Sequence, residues 1–441
     1  MSSTADQTDE GRAREPHPTS SDDVQRTLEA VWRMEAAKVT AIVARVVGDV
    51  GLAEDLAQDA FVQALEQWPR DGIPTKPGAW LTSTARRRAI DRIRRDVNLA
   101  SKLQQVGHME ELRVAELAEG DFDAALEDID DDVLGLVFAA CHPALTAQAR
   151  ISLTLRMIGG LTTREIARAF LTTEPTIAQR ISRAKKTLSQ DGVTIEIPSG
   201  ADLAPRLASV LEVVYLIFNE GYAATSGRDW VRGDLMEEAI RLGRVLSALA
   251  PGEPEVHGLL ALMEIQASRT RARIGRDGEP VLLLDQDRTT WDWALIRHAL
   301  AALDRAVSLV DASQGVTGPY VLQAAIAACH ARARTPDATD WARIAGLYAQ
   351  LAAIRPSPVI DLNRAVALSY AEGPEAALEV VDGLVAAEAL ADYHLLPSVR
   401  GDLLARLGRD DEARAEFARA AGMTQNDAER ALLLRRAAGE D

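Results

Sequence analysis

The chain has 441 residues, room for about three compact units at roughly 150 residues each, which excludes a mini-protein held together by staples. Its two cysteines, Cys141 and Cys329, lie far apart and form no C-x-x-C pair, so neither a disulfide framework nor a cysteine-rich zinc site is available. A formal net charge of −17 opposes coating of nucleic acid or an anionic membrane by the molecule as a whole, and local patches must be read separately.

Aromatic residues make up 4% of the chain, β-branched runs are scarce, and Ala, Leu, Arg and Glu dominate, which predicts an all-α protein. Residues 1–23 are polar, contain Pro16 and Pro18, and lack an apolar core, so they read as a disordered tail and not a signal peptide. The longest apolar run, Val133 to Cys141, is far short of the roughly 18–20 residues that span a bilayer. No membrane association is expected, and the sparse, unpaired cysteines make a reducing, cytoplasmic location the expectation.

A first helical module is expected over 24–97. From Leu52 to Gln67, apolar Leu52, Leu56, Ala57, Ala60, Phe61, Ala64 and Leu65 fall on one helical stripe, opposite Glu54, Asp55, Gln58, Asp59, Gln63 and Glu66. Pro69 to Pro77 is expected to break this helix, and a new one to start near Ala79 with Trp80 in its first turn. That helix runs into Arg86, Arg87, Arg88, Asp91, Arg92, Arg94 and Arg95, a local balance of +5. An aromatic in front of a row of arginines suits opened DNA strands, whose bases stack while phosphates are held; the competing reading is that Trp80 closes the core.

Residues 98–129 form an acidic linker, and eleven acids stand against Arg113 between Glu110 and Asp132. A second module is expected over 130–192. Thr162 followed by Glu165 is a capping box that opens a short helix with Ile166, Ala167 and Phe170 inside. After a turn at Leu171 and Thr172, Thr173 caps a second helix with Glu174 and Pro175 in its first turn. Ile177, Ile181, Ala184 and Leu188 mark its inner stripe, while Thr176, Gln179, Arg180, Arg183 and Lys186 lie outside with Lys185 nearby. Short helix, tight turn, then a basic amphipathic helix predict a helix-turn-helix, with Gln179 and Arg180 near base edges and Arg183, Lys185 and Lys186 near phosphates.

Together the modules resemble bacterial RNA polymerase sigma factors of the extracytoplasmic-function type, in particular the long group with a helical C-terminal extension. AEDLAQDAFVQAL (Ala53 to Leu65) is similar to the region-two helix that docks on the clamp coiled coil of the polymerase β′ subunit. The resemblance puts Asp55, Gln58 and Asp59 at polymerase-contacting positions and Leu52, Leu56 and Phe61 on the packed side. WLTSTARRRAIDRIRR (Trp80 to Arg95) is similar to the family segment that captures the −10 promoter element, matching at Trp80, Arg86, Asp91, Arg94 and Arg95, with Thr84 and Arg87 replacing the family's Ile and Asn. The helix-turn-helix resembles region four, which binds the −35 element, with Thr173, Thr176, Gln179, Arg180 and Arg183 facing DNA. The implied partners are promoter DNA and the polymerase core, through the β′ clamp and the β flap.

Residues 200–441 are expected to be a helical extension. Leu362 to Tyr370, Ala376 to Leu384, Val399 to Leu407 and Glu412 to Ala421 form two helical pairs, and Gly373 and Gly408 stand 35 apart, close to the 34-residue tetratricopeptide period. Leu235 to Leu249, His257 to Ser268 and Trp293 to Val310 read as more degenerate helices of the same stack. FNEGY (Phe218 to Tyr222) and DQDR (Asp285 to Arg288) look like signatures of the long group's extension. Asn219, Glu220, Asp285, Asp287, Arg288, His330 and Asp340 have no accompanying nucleophile with base, metal-ligand pair or phosphate loop, so they are read as joints between helices. No catalytic residue, metal or cofactor is expected. A concave repeat surface binds proteins or peptides, which makes the extension a built-in regulator or support. The alternative function is a helix-turn-helix regulator with a ligand- or peptide-sensing half.

Overall fold

The computed structural model describes residues 21–102, 129–170, 172–222, 233–275, 281–424 and 427–440. Its regular structure is helical, and it divides into two compact units, one ending at Val133 and one beginning at Leu134. The tail before residue 21 and most of the acidic linker (103–128) lie outside the described residues, as does Leu171.

The first unit is built on α1 (Ser21–Val47), α2 (Val50–Asp71) and α3 (Pro77–Lys102), each packed on the other two. Leu28, Trp32, Val39, Val43 and Val46 line the buried side of α1, and Ala53, Leu56, Ala57, Ala60, Ala64 and Trp68 that of α2. Alanines dominate the contact, including Ala85 and Ala89 on α3, so the helix axes approach closely while Trp32 and Trp68 fill the remaining space. Asp49 caps α2 by accepting from the Leu52 amide at 2.7 Å.

Several boundaries differ from the periodicity reading. Pro69 does not break α2, which continues to Asp71; it sits in the exposed last turn, where little helix remains to be disrupted, and Gly72 at φ +83° ends the element. Helix α3 starts at Pro77 and not near Ala79, because a proline's fixed φ and missing N–H suit a first turn. It also runs through residues 98–102, taken above as linker, while α1 begins within the expected tail.

The second unit opens with α4 (Ile129–Ala140), whose residues Leu134 to Ala140 fall in it, and α5 (Ala147–Met157), followed by α6 (Thr163–Ala169) and α7 (Glu174–Gln190). Helices α8 (Leu203–Tyr222), α9 (Gly233–Leu249), α10 (Pro254–Ser268), α11 (Trp293–Ser313) and α12 (Pro319–Arg332) come next. The chain ends in consecutive packed helices α13 (Trp341–Ile354), α14 (Pro358–Ala371), α15 (Pro374–Ala386), α16 (Leu395–Arg406), α17 (Asp410–Met423) and α18 (Asp427–Ala438). Leu362, Val381, Leu403 and Phe417 form the core of this stack. Gly373 and Gly408 have φ of +112° and +71°, turn conformations that an L side chain resists.

The segment after α7 is no free tether. A Cβ on Gly135 would stand 3.2 Å from the Glu196 amide, so the loop backbone lies directly on α4. Arg206 on α8 donates to the Phe138 carbonyl at 3.0 Å, and the Ser209 hydroxyl donates to the Cys141 carbonyl at 2.7 Å. Arg150 on α5 donates to the Ser209 hydroxyl and pairs with Glu212 at 3.1 Å. Arg241 on α9 reaches the Ile158 carbonyl at 3.1 Å. The helix-turn-helix and the extension, expected as separate domains at 130–192 and 200–441, therefore share one unit.

A close helix approach involves Gly258 on α10, where an added Cβ would meet the Val321 amide nitrogen at 2.7 Å. Gly258→Ala gains about 1 kcal/mol of helix propensity but forces α10 off α12, at a cost of roughly 1–3 kcal/mol. The expected outcome is a melting temperature lowered by a few degrees in a thermal denaturation scan; a rise would show that the two helices separate freely.

Candidate nucleic-acid interface

In the first unit the acidic side of α2 and the arginine row of α3 meet. Asp55 and Asp59 are exposed and Gln58 is half-buried; Leu56 is buried, whereas Leu52 and Phe61 are half-buried, the Phe61 ring 4.8 Å from that of Trp32. Two assignments of the stripe change. Glu54 is 3% exposed and belongs inside, and Leu65, read as an inner residue, is exposed together with Val62. An apolar pair beside exposed carboxylates is a feature the helical pattern alone does not display, because Val62 falls on the polar side of the wheel.

Trp80 is half-buried, edge-on to buried Trp68 with ring centroids 5.5 Å apart. The two readings of Trp80 are thus both partly right: it seals the α2–α3 corner and keeps a surface. Arg87, Asp91, Arg92, Arg94 and Arg95 are exposed and Arg86 is half-buried. Arg88 points differently, donating to Gln63 at 3.0 Å and pairing with Asp59 at 3.4 Å. It joins the two faces, whereas the sequence grouped it with the DNA-facing arginines. Thr84 is buried and Arg87 is exposed, so of the two departures from the family pattern one is internal and one is on the surface.

In the second unit the Thr162–Glu165 capping box is complete, with the Glu165 amide donating to the Thr162 hydroxyl at 3.1 Å and the Thr162 amide to the Glu165 carboxylate at 2.8 Å. Phe170 is half-buried, less enclosed than its place in the pattern suggests. Thr173 caps α7, and its hydroxyl lies 2.8 Å from that of Thr176. Ile177, Ile181, Ala184 and Leu188 are the buried residues of α7. Thr173, Thr176, Gln179, Arg183 and Lys186 are exposed, and the last four fall at i, i+3, i+7 and i+10 along one line. Lys185 is half-buried. Arg180 is half-buried and donates to Gln148 of α5 at 3.2 Å, a tether between residues too distant in sequence for any local pattern to reveal.

Among the described residues no group of three or more His, Cys, Asp or Glu is arranged to hold a metal ion, and no helix is long and apolar enough to cross a membrane. Cys141 is 1% exposed with its Sγ 3.3 Å from the Thr154 hydroxyl, and burial pushes its thiol up from about 9 to about 11. The unfolded thiol releases its proton first as pH rises, so this group's contribution to stability is intact below pH 9 and is lost as pH climbs through about 11. Iodoacetamide at pH 8 is expected to leave native Cys141 unlabelled and to label it fully in denaturant, as read by peptide mass spectrometry; rapid native labelling would show that α4 and α5 open.

Residues 31–98 match the sigma-70 region 2 model, residues 136–188 the sigma-70 region 4 model, and residues 206–307 a family of unknown function, DUF6596. An uncharacterized protein, R00370, of Rhizobium meliloti (strain 1021) is 46% identical over 387 residues, 87% of this chain and 89% of the relative. The ECF RNA polymerase sigma factor SigK of Mycobacterium ulcerans (strain Agy99) is 29% identical over 195 residues, 39% of this chain and 94% of that protein. The probable ECF RNA polymerase sigma factor SigI of Mycobacterium tuberculosis (strain CDC 1551 / Oshkosh) is 25% identical over 177 residues, 38% of this chain and 57% of that protein. No solved structure matches the chain.

Proposed function

The chain belongs to the extracytoplasmic-function RNA polymerase sigma factors, and from that membership we propose how its surfaces divide the work of promoter-specific transcription initiation. The carrying observation is the order of region two and region four in one chain, each presenting an exposed charged face. A regulator built on the helix-turn-helix alone would have no use for the first of these faces, which disfavours the alternative. Sigma factors are not enzymes, and this reading assigns the chain no catalytic step.

Asp55, Gln58 and Asp59 on α2 face the β′ clamp, and exposed Val62 and Leu65 extend that contact with apolar area. Leu52, Leu56 and Phe61 hold the helix from behind. Trp80 offers a face for an unstacked −10 base, while Arg86, Arg87, Arg92, Arg94 and Arg95 take phosphates. Arg88, held by Asp59 and Gln63, aligns the two surfaces, and Asp91 contributes through its carbonyl, which accepts from Arg95 at 3.2 Å. On α7, Thr173, Thr176 and Gln179 lie toward −35 base edges and Arg183, Lys185 and Lys186 toward phosphates, with Arg180 set in position by Gln148. Region four also meets the β flap.

Asp55→Ala combined with Gln58→Ala is expected to abolish co-purification with core polymerase while leaving affinity for a −35 duplex unchanged. Retained association of that double variant would sink the α2 assignment.

The extension supports region four as a brace. The Phe138 and Cys141 carbonyls at the end of α4 find donors on α8, and Arg150 finds its acceptors there. Removing residues 200–441 strips those partners and uncovers apolar α5 surface. The truncated chain is expected to lose most amide-exchange protection in α4–α7 and at least about tenfold in −35 affinity. Undiminished protection and affinity would instead leave the extension with a purely regulatory role.

A further inference from the structure

Five helices of the second unit, α8, α10, α12, α13 and α14, together with Leu283 and Trp291, enclose a cavity of about 400 Å³, within the range of small-molecule sites. Its body is apolar and aromatic, with Ile265, Ile326, Leu351, Tyr215 and Tyr348 among the lining residues. Among the described residues no carboxylate lines it.

One end is built differently. Arg269 stands in the wall, donates to Gln266, and leaves a buried Nε without a partner. Behind the lining residues His330 and Trp291 lies Arg288, 6% exposed, which donates to the carbonyls of His330 (2.9 Å) and Ala333. Its guanidinium sits 5.1 Å from the Trp291 ring, and its Nε and Nη2 have no acceptor. Trp291 Nε1 and His330 Nδ1 are likewise unpartnered. Burial, with Arg269 and Arg288 nearby, pushes His330 down to about 4, so the ring is neutral at physiological pH and the local field is set by the arginines.

Among the described residues, five buried nitrogens without hydrogen-bond partners gather around this end, whereas other arginines of the unit meet carboxylates. Arg244 pairs with fully buried Glu264 at 2.7 Å, and Arg400 with Asp382 and Glu416 at 2.8 and 2.7 Å. A cation left unpaired out of water is costly, and buried N–H groups without acceptors carry a desolvation penalty. An acceptor bearing negative charge beside Arg269 would relieve both there, while Arg288, which does not line the cavity, adds positive field from behind its wall.

We propose that this cavity binds a small amphipathic anion, a carboxylate on an apolar or aromatic body, with its headgroup at Arg269 and its body between the tyrosines and the aliphatic wall. A peptide fits less well: the lining is mainly helical, with backbone groups already bonded, and the charge is gathered at one end. The residue types at Arg288 and His330 suggested helix joints; Arg288 is one, and its charge behind the cavity wall is the additional feature. Tyr215 lies on α8 less than two turns beyond Ser209, so an occupant would touch the helix that braces region four.

The test uses the full chain and does not depend on polymerase. Ligand-observed NMR and calorimetry are run with a panel of straight-chain alkanoates, phenylalkanoates and indolylalkanoates, each beside its neutral alcohol. At least one carboxylate is expected to bind at sub-millimolar Kd, its alcohol about tenfold or more weaker. Arg269→Gln should weaken the acid by a similar factor. Ala327→Phe, which fills the cavity from another wall, should remove binding of acid and alcohol alike, with both variants checked for unchanged circular dichroism. Absence of binding by every carboxylate, equal binding of acid and alcohol, or binding that survives both substitutions overturns the assignment. Loss of promoter activity alone would bear on the sigma reading and not on this one.

Discussion

Helix α8 is buried over most of its surface, with one exposed strip at Ala204, Ala208 and Glu212, and much of the second unit follows from that. Leu207, Val210, Leu211, Val213, Val214, Ile217 and Phe218 are all buried, too many for the single stripe of a surface helix. Such a helix must be covered on opposite faces, and α5 of the helix-turn-helix covers one while α9 and α10 cover the others. Its few polar side chains satisfy groups that a helix end leaves open: Arg206 and Ser209 supply donors to carbonyls at the close of α4. Separating region four from the extension would expose apolar surface and orphan those carbonyls at the same time.

The net charge of −17 is reconciled with DNA binding by segregation. In α3 Arg87, Arg92, Arg94 and Arg95 stand outward along a single helix, and in α7 Arg183 and Lys186 share the line opposite Ile177, Ile181, Ala184 and Leu188. Exposed ion pairs such as Asp59 with Arg88 contribute little to stability. Their value lies in geometry, since that pair fixes where the acidic side of α2 ends and the basic side of α3 begins.

Region four and the extension pack within one compact unit. Four short helices offer limited core, and the capping box and the Thr173 cap stabilise only their own first turns. Helices α5 and α6 hold α7 at its inner stripe, α8 backs α5, and Arg180 with Gln148 holds α7 at its flank. The same scaffold leaves a cavity whose cationic end meets no lining carboxylate among the described residues, and Tyr215 of α8 stands in its wall.

Much of this was legible in the chain. The all-α class, both charged helices, the capping box and the α7 stripe rest on interactions between residues three or four apart, so their signatures lie within a dozen positions. Boundaries at Pro69 and Pro77, buried Glu54 and exposed Leu65 escaped because periodicity fixes a face but not how far the neighbouring helix covers it. Arg88 with Asp59, Arg180 with Gln148, and Ser209 with the Cys141 carbonyl span 29, 32 and 68 residues. Amino-acid order alone determined which helices form and which surface of each is charged. Only the tertiary structure decided which arginines are exposed and that region four and the extension share one compact unit, because those outcomes depend on contacts made after the helices have packed.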